Sequence, residues 1–492
     1  MGLRNRMRHK LLLISIACLC LTVNLLSQHI SDVIKVNLDD AKQFAQLTDA
    51  SEGDTLLIDF FDDNSYKAII RNVTVDYDKV IGITAQIVDY EVAYCFISVS
   101  DAGISLRTDI YHADKQFQTS QINGQLIHTQ FKLSENRNQN LENDLIISNL
   151  LDYATNTDIH ALQSPADDDL EEHVTVDVMV VYSTKARQWA DRNATSIDNA
   201  ISMAFQYANQ VLVNSQINMT LSLVYKYESD YPESDDANMD LLSLRDSIDG
   251  KLDEVYSLRR QYAADIVVLL PMTGAFSYMP NYDLNKPDPT LGFSVCNISG
   301  ATYNSTFIHE LGHIFGAHHH WQQLRSKSPG PGIFSYSSAW RGMGEDSVWY
   351  HTVMSYSGIN FADKIPSVLI PYFSNPEVIV HGVSIGSVKK ENNSLTINQT
   401  KHTIARYSEL IGAKTSPVLI DKIDIQDLYA YATDGILHIC NMKSGQKFYV
   451  FTIIGQPIYN GISKSDNEHI SLPNRGFYIL ISDEKTIKFY SK

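Results

Sequence analysis

Residues 309–320 read "HELGHIFGAHHH", so five of the chain's sixteen histidines fall within twelve positions. His309 and His313 are four residues apart, and on an α-helix this spacing puts both side chains on one face, a turn apart. Neutral imidazoles in that arrangement are good zinc ligands. Glu310 is one step around the helix, where its carboxylate can take a proton from a zinc-bound water. The stretch therefore predicts a helix that carries a zinc centre.

A third ligand requires the chain to leave the helix after His313. If the helix continued, His320 would lie about 10 Å along the axis from His313 at ~1.5 Å per residue, too far to share its ion. His319 would then point roughly 80° away from His309. Gly316 provides the exit, because glycine adopts positive φ at little cost and often ends helices. With a turn at Gly316, His319 swings under the metal and completes a three-histidine set.

Alternative assignments of this cluster explain less of the sequence. No comparable geometric reason makes His318 or His320 a metal ligand, and we expect them to lie at the rim or to bond locally. A later carboxylate such as Glu345 is the third ligand in a different type of zinc site. That arrangement leaves Gly316 and His319 unexplained. A polar helix with incidental histidines is disfavoured, because the extra glycine and histidine make the pattern roughly several hundredfold rarer by chance.

A second signal, "YHTVMSYSG", lies at residues 350–358, where Met354 is followed two residues later by Tyr356. Taken alone, the methionine would be an ordinary core residue. Its meaning depends on the histidine cluster that precedes it.

The apolar spacing around the cluster predicts alternating strands and helices, which is an α/β layout. Residues 321–350 are rich in Gly, Ser and Pro and are expected to be irregular. Strands are expected at 174–183, 219–228 and 265–271, an edge strand at 292–299, and helices at 196–215, 239–264 and 394–411.

The flanking segments have a different pattern. Residues 54–132 and 418–492 alternate apolar and polar in short runs, which predicts antiparallel β domains. An acidic stretch at 154–173 is typical of a linker. Lys and Arg are absent from 138 to 184, so a trypsin-like activator is not expected to cut there.

The beginning of the chain is typical of an export signal. Four basic residues precede an apolar run from Leu11 to Leu26, which is shorter than the ~20 apolar residues of a spanning helix. A signal peptide is preferred to a membrane anchor or to lipid attachment at Cys18. The formal net charge of −18 argues against nucleic-acid binding, which needs clustered Lys and Arg. Cys95, Cys296 and Cys440 are expected to be buried free thiols.

Together, "HELGHIFGAHH" (309–319) and the later "VMSYSG" (353–358) resemble the metzincins, a class of zinc peptidases. The stretches "ADIVVLLP" (264–271), "PYFSNPEVIVHGVSIG" (371–386) and "NNSLTINQTKHTIARY" (392–407) look like the bacterial adamalysin-like, or reprolysin-like, branch. The resemblance covers about residues 172–411. It implies an α/β (α+β) catalytic domain with a twisted mixed sheet, a zinc-binding active-site helix and a substrate cleft above a small lower subdomain.

The resemblance also implies roles by position. His309, His313 and His319 would bind zinc, and Glu310 would act as general base and acid. Gly316 would be the turn and Met354 the floor beneath the metal. Tyr356 departs from the adamalysin pattern and is instead similar to the astacin and serralysin branches, where such a tyrosine helps to stabilise the oxyanion. Packing remains the alternative role for Tyr356. Calcium is common in the family, but no ligand set is assigned.

The outer segments are similar to those of a secreted zymogen. The β-rich segment at residues 29–171 resembles propeptides of bacterial adamalysin-like peptidases, which implies an intramolecular inhibitor. Cys95 is the available cysteine for blocking the zinc, but it lies within a predicted strand and is expected to be structural. The stretch 455–492 resembles sorting domains of type IX secretion, and a retained β-sandwich binding module is the alternative. The expected division is a signal peptide at 1–28, a β-rich propeptide and acidic linker at 29–171, a catalytic domain at 172–411 and a C-terminal β-sandwich-like domain at 418–492.

These features predict a secreted zinc endopeptidase, made as a zymogen, that hydrolyses peptide bonds of proteins through a water activated by Glu310. Its expected partners are protein or peptide substrates, its own propeptide and the secretion machinery. The competing class is a surface adhesion protein with a vestigial metal site. Glu310 argues against that class, because a non-catalytic descendant does not need the residue. Substrate preference depends on loops such as 321–350, whose conformation the sequence does not determine.

Overall fold

A computed structural model describes residues 50–133, 172–413 and 429–491, with the isolated segments 9–15, 20–26, 34–37, 47 and 145–146. Short gaps within these ranges fall at 60–64, 77–78, 235, 247–249, 281–283, 324–331, 434–435, 441, 453–455, 466, 475 and 483–485. Most of the acidic linker and the side chains of the signal peptide and Cys440 lie outside the described residues. What the sequence indicates for the linker, the signal peptide and Cys440 therefore stays a prediction.

The N-terminal β domain, residues 50–133, is built on an antiparallel meander, as the alternating pattern predicts. Its strands β4 to β10 run in sequence order, and β4 also pairs with the first of three strands nearer the N-terminus. The strands are β1 His9–Ser15, β2 Cys20–Leu26, β3 Ile34–Asn37, β4 Thr55–Asp59, β5 Ser65–Val75, β6 Ile81–Ile87, β7 Ala93–Ser100, β8 Gly103–Ile110, β9 Lys115–Ile122 and β10 Gln125–Lys132.

The central domain, residues 172–413, is built on a mixed sheet in the order β11-β15-β16-β14-β12-β13, in which β11 comes from the segment that precedes the domain. Apart from the antiparallel pairing of β15 with β16, the strands are parallel. The strands are β11 Leu145–Ile146, β12 Val174–Ser183, β13 Met219–Ser229, β14 Ile266–Leu270, β15 Ala275–Tyr278 and β16 Phe293–Cys296. The α/β prediction is confirmed, and β12 matches its predicted bounds.

The prediction that residues 292–299 form an edge strand is wrong. Strand β16 lies between β14 and β15, so both of its edges are paired. The sequence did not reveal β15, because its four residues, "AFSY", are too few for a clear alternation. Strand β15 pairs with the outer side of β16, so β15 lies nearer the edge of the sheet than β16 does.

Helices cover both faces of this sheet. On β12, Val178 and Val180 point into one apolar core, while Met179 and Val181 point into the core on the opposite face. The helices are α1 Thr184–Asn193, α2 Ile197–Asn214, α3 Ala237–Arg245, α4 Glu254–Gln261, α5 Ile298–Tyr303, α6 Thr306–Ile314, α7 Asn393–Ile404 and α8 Tyr407–Ala413. Among the residues that the structure describes, no helix is long and apolar enough to cross a membrane.

The helix predictions are correct in place but not always in length. Ser196 caps α2, since its side chain accepts a hydrogen bond from the Asn199 N–H, and the helix ends one residue before the predicted limit. The segments 239–264 and 394–411 each contain two helices rather than one. Helices α1 and α5 were not predicted.

Short strands follow the metal helix and complete the central domain. The segment 321–350 was predicted to be irregular, but it contains the first of these strands and most of the second. The strands are β17 Arg341–Met343, β18 Trp349–His351, β19 Val368–Leu369, β20 Asn375–Val380 and β21 Val383–Ile385.

The C-terminal β domain, residues 429–491, consists of two antiparallel sheets. One has the order β22-β23-β26 and the other β25-β24-β27-β28, and side chains of both sheets share one apolar core. The strands are β22 Tyr429–Thr433, β23 Ile436–Cys440, β24 Lys447–Thr452, β25 Pro457–Ile462, β26 Asn467–Ser471, β27 Gly476–Ser482 and β28 Thr486–Ser491. This is a sandwich-like arrangement.

The N-terminal β domain packs directly on the central domain. Strand β7 is buried along nearly its whole length, because one face lies in its own sheet's core and the other lies against α2. Asn199 donates a hydrogen bond to the Ser98 carbonyl oxygen at 2.9 Å, and Gln206 donates one to the Ile97 carbonyl oxygen at 3.1 Å. Polar side chains of α2 thus satisfy backbone groups of the neighbouring sheet.

Candidate metal centre

Helix α6 carries the first two histidines of the cluster and ends where the sequence predicts. Gly316 has φ +84°, and its N–H donates to the His313 carbonyl oxygen at 2.8 Å. The Ala317 N–H donates to the Gly312 carbonyl oxygen at 2.9 Å. This pair of bonds is the Schellman motif, which closes a helix when the next residue is left-handed. The turn redirects the chain towards the face of α6 that carries the histidines.

Three imidazoles meet on that face. The Nε2 atom of His319 lies 3.2 Å from Nε2 of His309 and 3.1 Å from Nε2 of His313. All three side chains are buried. The structure thus brings together the three residues that the sequence proposed as ligands.

Backbone carbonyls fix the direction of two of these rings. The Nδ1–H of His309 donates to the Val353 carbonyl oxygen at 2.8 Å, and the Nδ1–H of His313 donates to the Ala317 carbonyl oxygen at 3.0 Å. Because a carbonyl oxygen only accepts, each Nδ1 carries the proton and each Nε2 presents a lone pair to the cluster. Such outer contacts orient imidazole ligands in metal sites. Sequence reasoning did not identify either carbonyl group.

The "VMSYSG" segment supports the cluster from below. The sulfur of Met354 lies against Gly312, where an added Cβ would come within 2.6 Å of it. Tyr356 lies beside the imidazoles, with its hydroxyl 3.4 Å from His309 Nε2 and its ring centroid 5.2 Å from that of His319. Met354 is therefore under the helix, and the Tyr356 hydroxyl faces the ligand atoms.

Glu310, which follows His309 on α6, is fully buried. The neighbouring Cys296 is also buried. Burial raises the pKa of the Cys296 thiol well above its ordinary value, and the nearby Glu310 carboxylate adds to the shift. Cys296 is therefore a protonated free thiol, as predicted. Cys95 is likewise free and buried, in the core of the N-terminal β domain, where burial raises its pKa to about 12.

The other two histidines bond locally, as expected, although they are buried rather than at a rim. His318 Nδ1 accepts the N–H of His319 at 2.7 Å. His320 Nδ1 accepts the N–H of Gln322 at 3.1 Å, and its Nε2 lies 3.5 Å from Glu391. Glu345, the alternative third ligand, packs against Gly382 instead.

Helix α7 holds the turn that delivers His319. The side-chain amide of Asn393 donates to the His318 carbonyl oxygen at 2.9 Å, and its oxygen accepts the His318 N–H at 3.2 Å. Thr400 donates to the Phe315 carbonyl oxygen at 2.8 Å. Both side chains are buried. Asn393 and Thr400 are thus positioning residues that sequence reasoning missed, because polar helix residues give no local signal of a distant partner.

The donor set fits zinc. Tetrahedral zinc with Zn–N bonds of ~2.0–2.1 Å places two ligand nitrogens about 3.3–3.4 Å apart. The observed separations of 3.1 and 3.2 Å are close to that value. Neither of the two metal-ligand groupings found among the described residues is an all-oxygen set of the kind calcium prefers. The expectation of calcium therefore gains no support.

Comparison with known proteins identifies the domain that holds this centre. Residues 173–391 match the sequence profile of the reprolysin-like M12B metallopeptidase family. The resemblance read from "HELGHIFGAHH" and "VMSYSG" is confirmed at the level of the reprolysin-like metallopeptidases.

Relatives of this reprolysin-like segment are metalloendopeptidases by name. A peptidyl-Asp metalloendopeptidase of Stenotrophomonas maltophilia (strain K279a) is 28% identical over 233 residues, covering 47% of this chain and 52% of the relative. One from Xanthomonas campestris pv. campestris is 28% identical over 236 residues, with the same coverage. One from Pseudomonas aeruginosa is 31% identical over 228 residues, covering 42% of this chain and 35% of the relative.

The chain thus spans about half the length, or less, of the curated relatives it matches. A solved chain described as "Structure of a chaperone-substrate complex" aligns with 48% of this chain and 36% of its own length, at 17% identity and a TM-score of 0.36. A likeness of that degree bears on neither fold nor function.

Proposed function

We propose that this chain is a zinc-dependent endopeptidase that hydrolyses peptide bonds of proteins. The observation that carries the proposal is the convergence of three imidazole Nε2 atoms on one face of α6, the helix that also carries the buried Glu310. The match of residues 173–391 to a metallopeptidase family and the names of the relatives support it.

His309, His313 and His319 would hold the zinc ion, which supplies Lewis-acid polarisation of the peptide carbonyl and lowers the pKa of a bound water towards ~7. Glu310 takes the proton of the attacking water on its carboxylate. As the peptide bond breaks, Glu310 passes that proton to the nitrogen of the leaving amine. One carboxylate thus acts first as general base and then as general acid.

Tyr356 contributes a hydrogen-bond donor beside the three imidazoles. Its hydroxyl is 3.4 Å from His309 Nε2, so it reaches the region where negative charge develops on the carbonyl oxygen. A donor already in place there stabilises the transition state without reorganisation. This favours the oxyanion role for Tyr356 over packing alone.

We also propose that the N-terminal segment keeps the enzyme latent. Strand β11, Leu145–Ile146, pairs in parallel with Ser277–Tyr278 of β15, and α6 packs against β15. An extended peptide that adds to this strand lies beside the metal helix, so β11 takes up part of the edge on which a substrate would pair. Cys95 is enclosed in the core of the N-terminal β domain, which favours inhibition by occupation of this edge over a thiol on the zinc.

The test compares the chain with its Glu310→Gln variant on a peptide library that includes and omits aspartate, since the relatives are named for aspartyl bonds. The wild-type chain, after its N-terminal segment has been cleaved, is expected to cut peptides and to stop when a chelator is added. The variant is expected to retain one zinc at the histidine cluster and to lose cleavage by roughly two orders of magnitude or more.

Full activity of the Glu310→Gln variant would refute this mechanism. Absence of chelator-sensitive cleavage in the wild type would favour the alternative of an adhesion protein with a vestigial site. If the intact chain cuts as fast as the shortened one, the N-terminal segment is not an inhibitor. A strong preference for aspartate in the library would extend the relatives' named specificity to this chain.

We further propose that the C-terminal β domain directs export, after removal of the signal peptide at residues 1–28. The support is the resemblance of residues 455–492 to type IX sorting domains and the independent apolar core shared by its two sheets. Fusion of residues 418–492 behind a signal peptide and a reporter protein tests this in a bacterium with that secretion system. A reporter that stays in the periplasm would favour a retained binding module.

A further inference from the structure

A second group of imidazoles and carboxylates lies where the N-terminal β domain meets the central domain. Glu91 lies between β6 and β7, and His112 follows β8. Asp346 lies in the turn between β17 and β18, and His381 in the turn between β20 and β21. Each domain therefore contributes one carboxylate and one imidazole. These residues are distant in the sequence, and no motif marks them.

The side chains of His112, Asp346 and His381 are close enough to share one ion, and Glu91 contacts His381. Nδ1 of His112 lies 3.4 Å from Asp346 Oδ2. Nδ1 of His381 lies 3.7 Å from the same oxygen and 3.3 Å from Glu91 Oε2. One ligand atom from each of His112, Asp346 and His381 falls within 4.8 Å of the others. The atoms that face one another are two imidazole nitrogens and two carboxylate oxygens.

Further contacts hold these atoms in place. Tyr350 donates to Asp346 Oδ2 at 2.6 Å, and its ring stacks on that of His381 with centroids 4.3 Å apart. The backbone N–H of His381 donates to Glu91 Oε1 at 3.0 Å. The side chain of His381 is 8% exposed, whereas that of His112 is 55% exposed. The group is thus anchored on its inner side and open to solvent on its outer side.

We propose that His112, Asp346 and His381, with Glu91 bonded to His381, form a second divalent transition-metal site, which joins the N-terminal β domain to the central domain. Two imidazoles and one carboxylate are a set that suits zinc and its neighbours, whereas calcium and magnesium prefer oxygen ligands alone. A divalent cation also balances the two carboxylate charges that converge here. The contact from Tyr350 is the kind of outer hydrogen bond that orients a ligating carboxylate.

The site has a consequence for the arrangement of the domains. Because its ligands come from both domains, the complete set exists only while the N-terminal β domain is docked. An ion that binds only the docked form stabilises that form by mass action. Metal availability would then control how readily the N-terminal β domain is released. The inference does not rest on the proposed peptidase activity, since the three ligands are separate from His309, His313 and His319.

Metal stoichiometry tests the proposal. The full chain carrying Glu310→Gln, which prevents self-cleavage, is loaded with zinc, dialysed and analysed for bound metal. We expect two zinc ions per chain in this parent and one in the His112→Ala, His381→Ala variant. The matched control, His173→Ala, removes an exposed histidine outside both clusters and is expected to keep two.

A variant that lacks the other metal site shows whether a lost zinc ion reflects the interdomain site or a loss of folding. Replacement of His309, His313 and His319 by alanine is expected to leave one zinc, bound at the interdomain site. A Glu91→Gln variant preserves side-chain shape and is expected to weaken that second site on the order of tenfold or more in a competition titration. A single zinc in the parent, or two zincs retained in the His112→Ala, His381→Ala variant, would overturn the proposal. Neither result depends on whether peptides are cut.

Discussion

Replacement of Arg107 by methionine is expected to lower the free energy of unfolding by about 3–5 kcal/mol, the usual cost of breaking a buried ion pair. The guanidinium lies 2.6 Å from Asp109, with side-chain exposures of 1% and 0%. It also donates to the carbonyl oxygens of Thr302 at 3.2 Å and Asn304 at 3.1 Å. Those carbonyls end α5, just before the metal helix. The variant thus leaves a buried carboxylate without its cation and two carbonyls without a donor.

The groups around Asp109 decide how much of the expected loss of about 3–5 kcal/mol in the free energy of unfolding is realised. The Asp109 carboxylate raises the pKa of Arg107 despite its burial, so the cation is present at every accessible pH. Gln116 donates to Asp109 at 2.8 Å and Tyr111 donates at 3.1 Å, and both remain in the variant. These donors keep part of the carboxylate's stabilisation. They place the expected loss towards the lower end, about 3 kcal/mol.

Chemical denaturation with tryptophan fluorescence measures this effect in the central domain, because all four tryptophans of the chain lie within residues 172–413. A loss of about 3 kcal/mol corresponds to a fall in Tm of about 6 °C or more for a domain of this size. Arg187→Ala is the matched control. Its pairs with Glu228 and Asp191 are solvent-exposed, so its cost is expected to stay below about 1 kcal/mol.

The double variant Arg107→Met, Asp109→Asn distinguishes an uncompensated charge from lost packing. Removal of the carboxylate charge is expected to recover part of the stability, because no unpaired charge then remains buried. If Arg107→Met costs no more than Arg187→Ala, the buried pair does not hold the two domains together. If the double variant is as unstable as the two single losses summed, the pairing argument is wrong.

Three further outcomes are expected. Gly316→Ala should weaken zinc binding and stability by about 1–2 kcal/mol or more, because φ is +84° and an added Cβ would lie 2.7 Å from Ile333; Gly53→Ala, at φ +88° in open space, should show only the backbone cost. Tyr356→Phe should lower kcat on the order of a hundredfold and leave bound zinc unchanged; unchanged kcat would assign it to packing. Burial lowers the pKa of His128 to about 4, below its ordinary value near 6.5. Its stabilising effect is thus complete above about pH 6.5 and lost as pH falls towards 4; His128→Gln should flatten that slope in pH-dependent unfolding.

Much of the metal centre follows from local sequence, because its parts lie within eleven residues and obey helical geometry. His309, His313 and the turn at Gly316 are set by a period of ~3.6 residues and by the freedom of glycine at positive φ. The long elements with many apolar residues can also be predicted from local sequence. Strand β12 and helix α2 have clear periodicity, so their positions could be predicted closely.

The tertiary structure decided what depends on contacts between distant segments. The carbonyl of Val353 that orients His309, and the clamp of Asn393 on the turn, join residues far apart in the chain. Strand β15 is too short for its periodicity to be recognised in the sequence. Its pairing with β16 places β16 inside the sheet rather than at the edge. The meeting of Glu91 with His381 has no sequence signal either, because each lies in an ordinary turn. Periodicity is a property of neighbours along the chain, whereas these features arise only when separate elements pack.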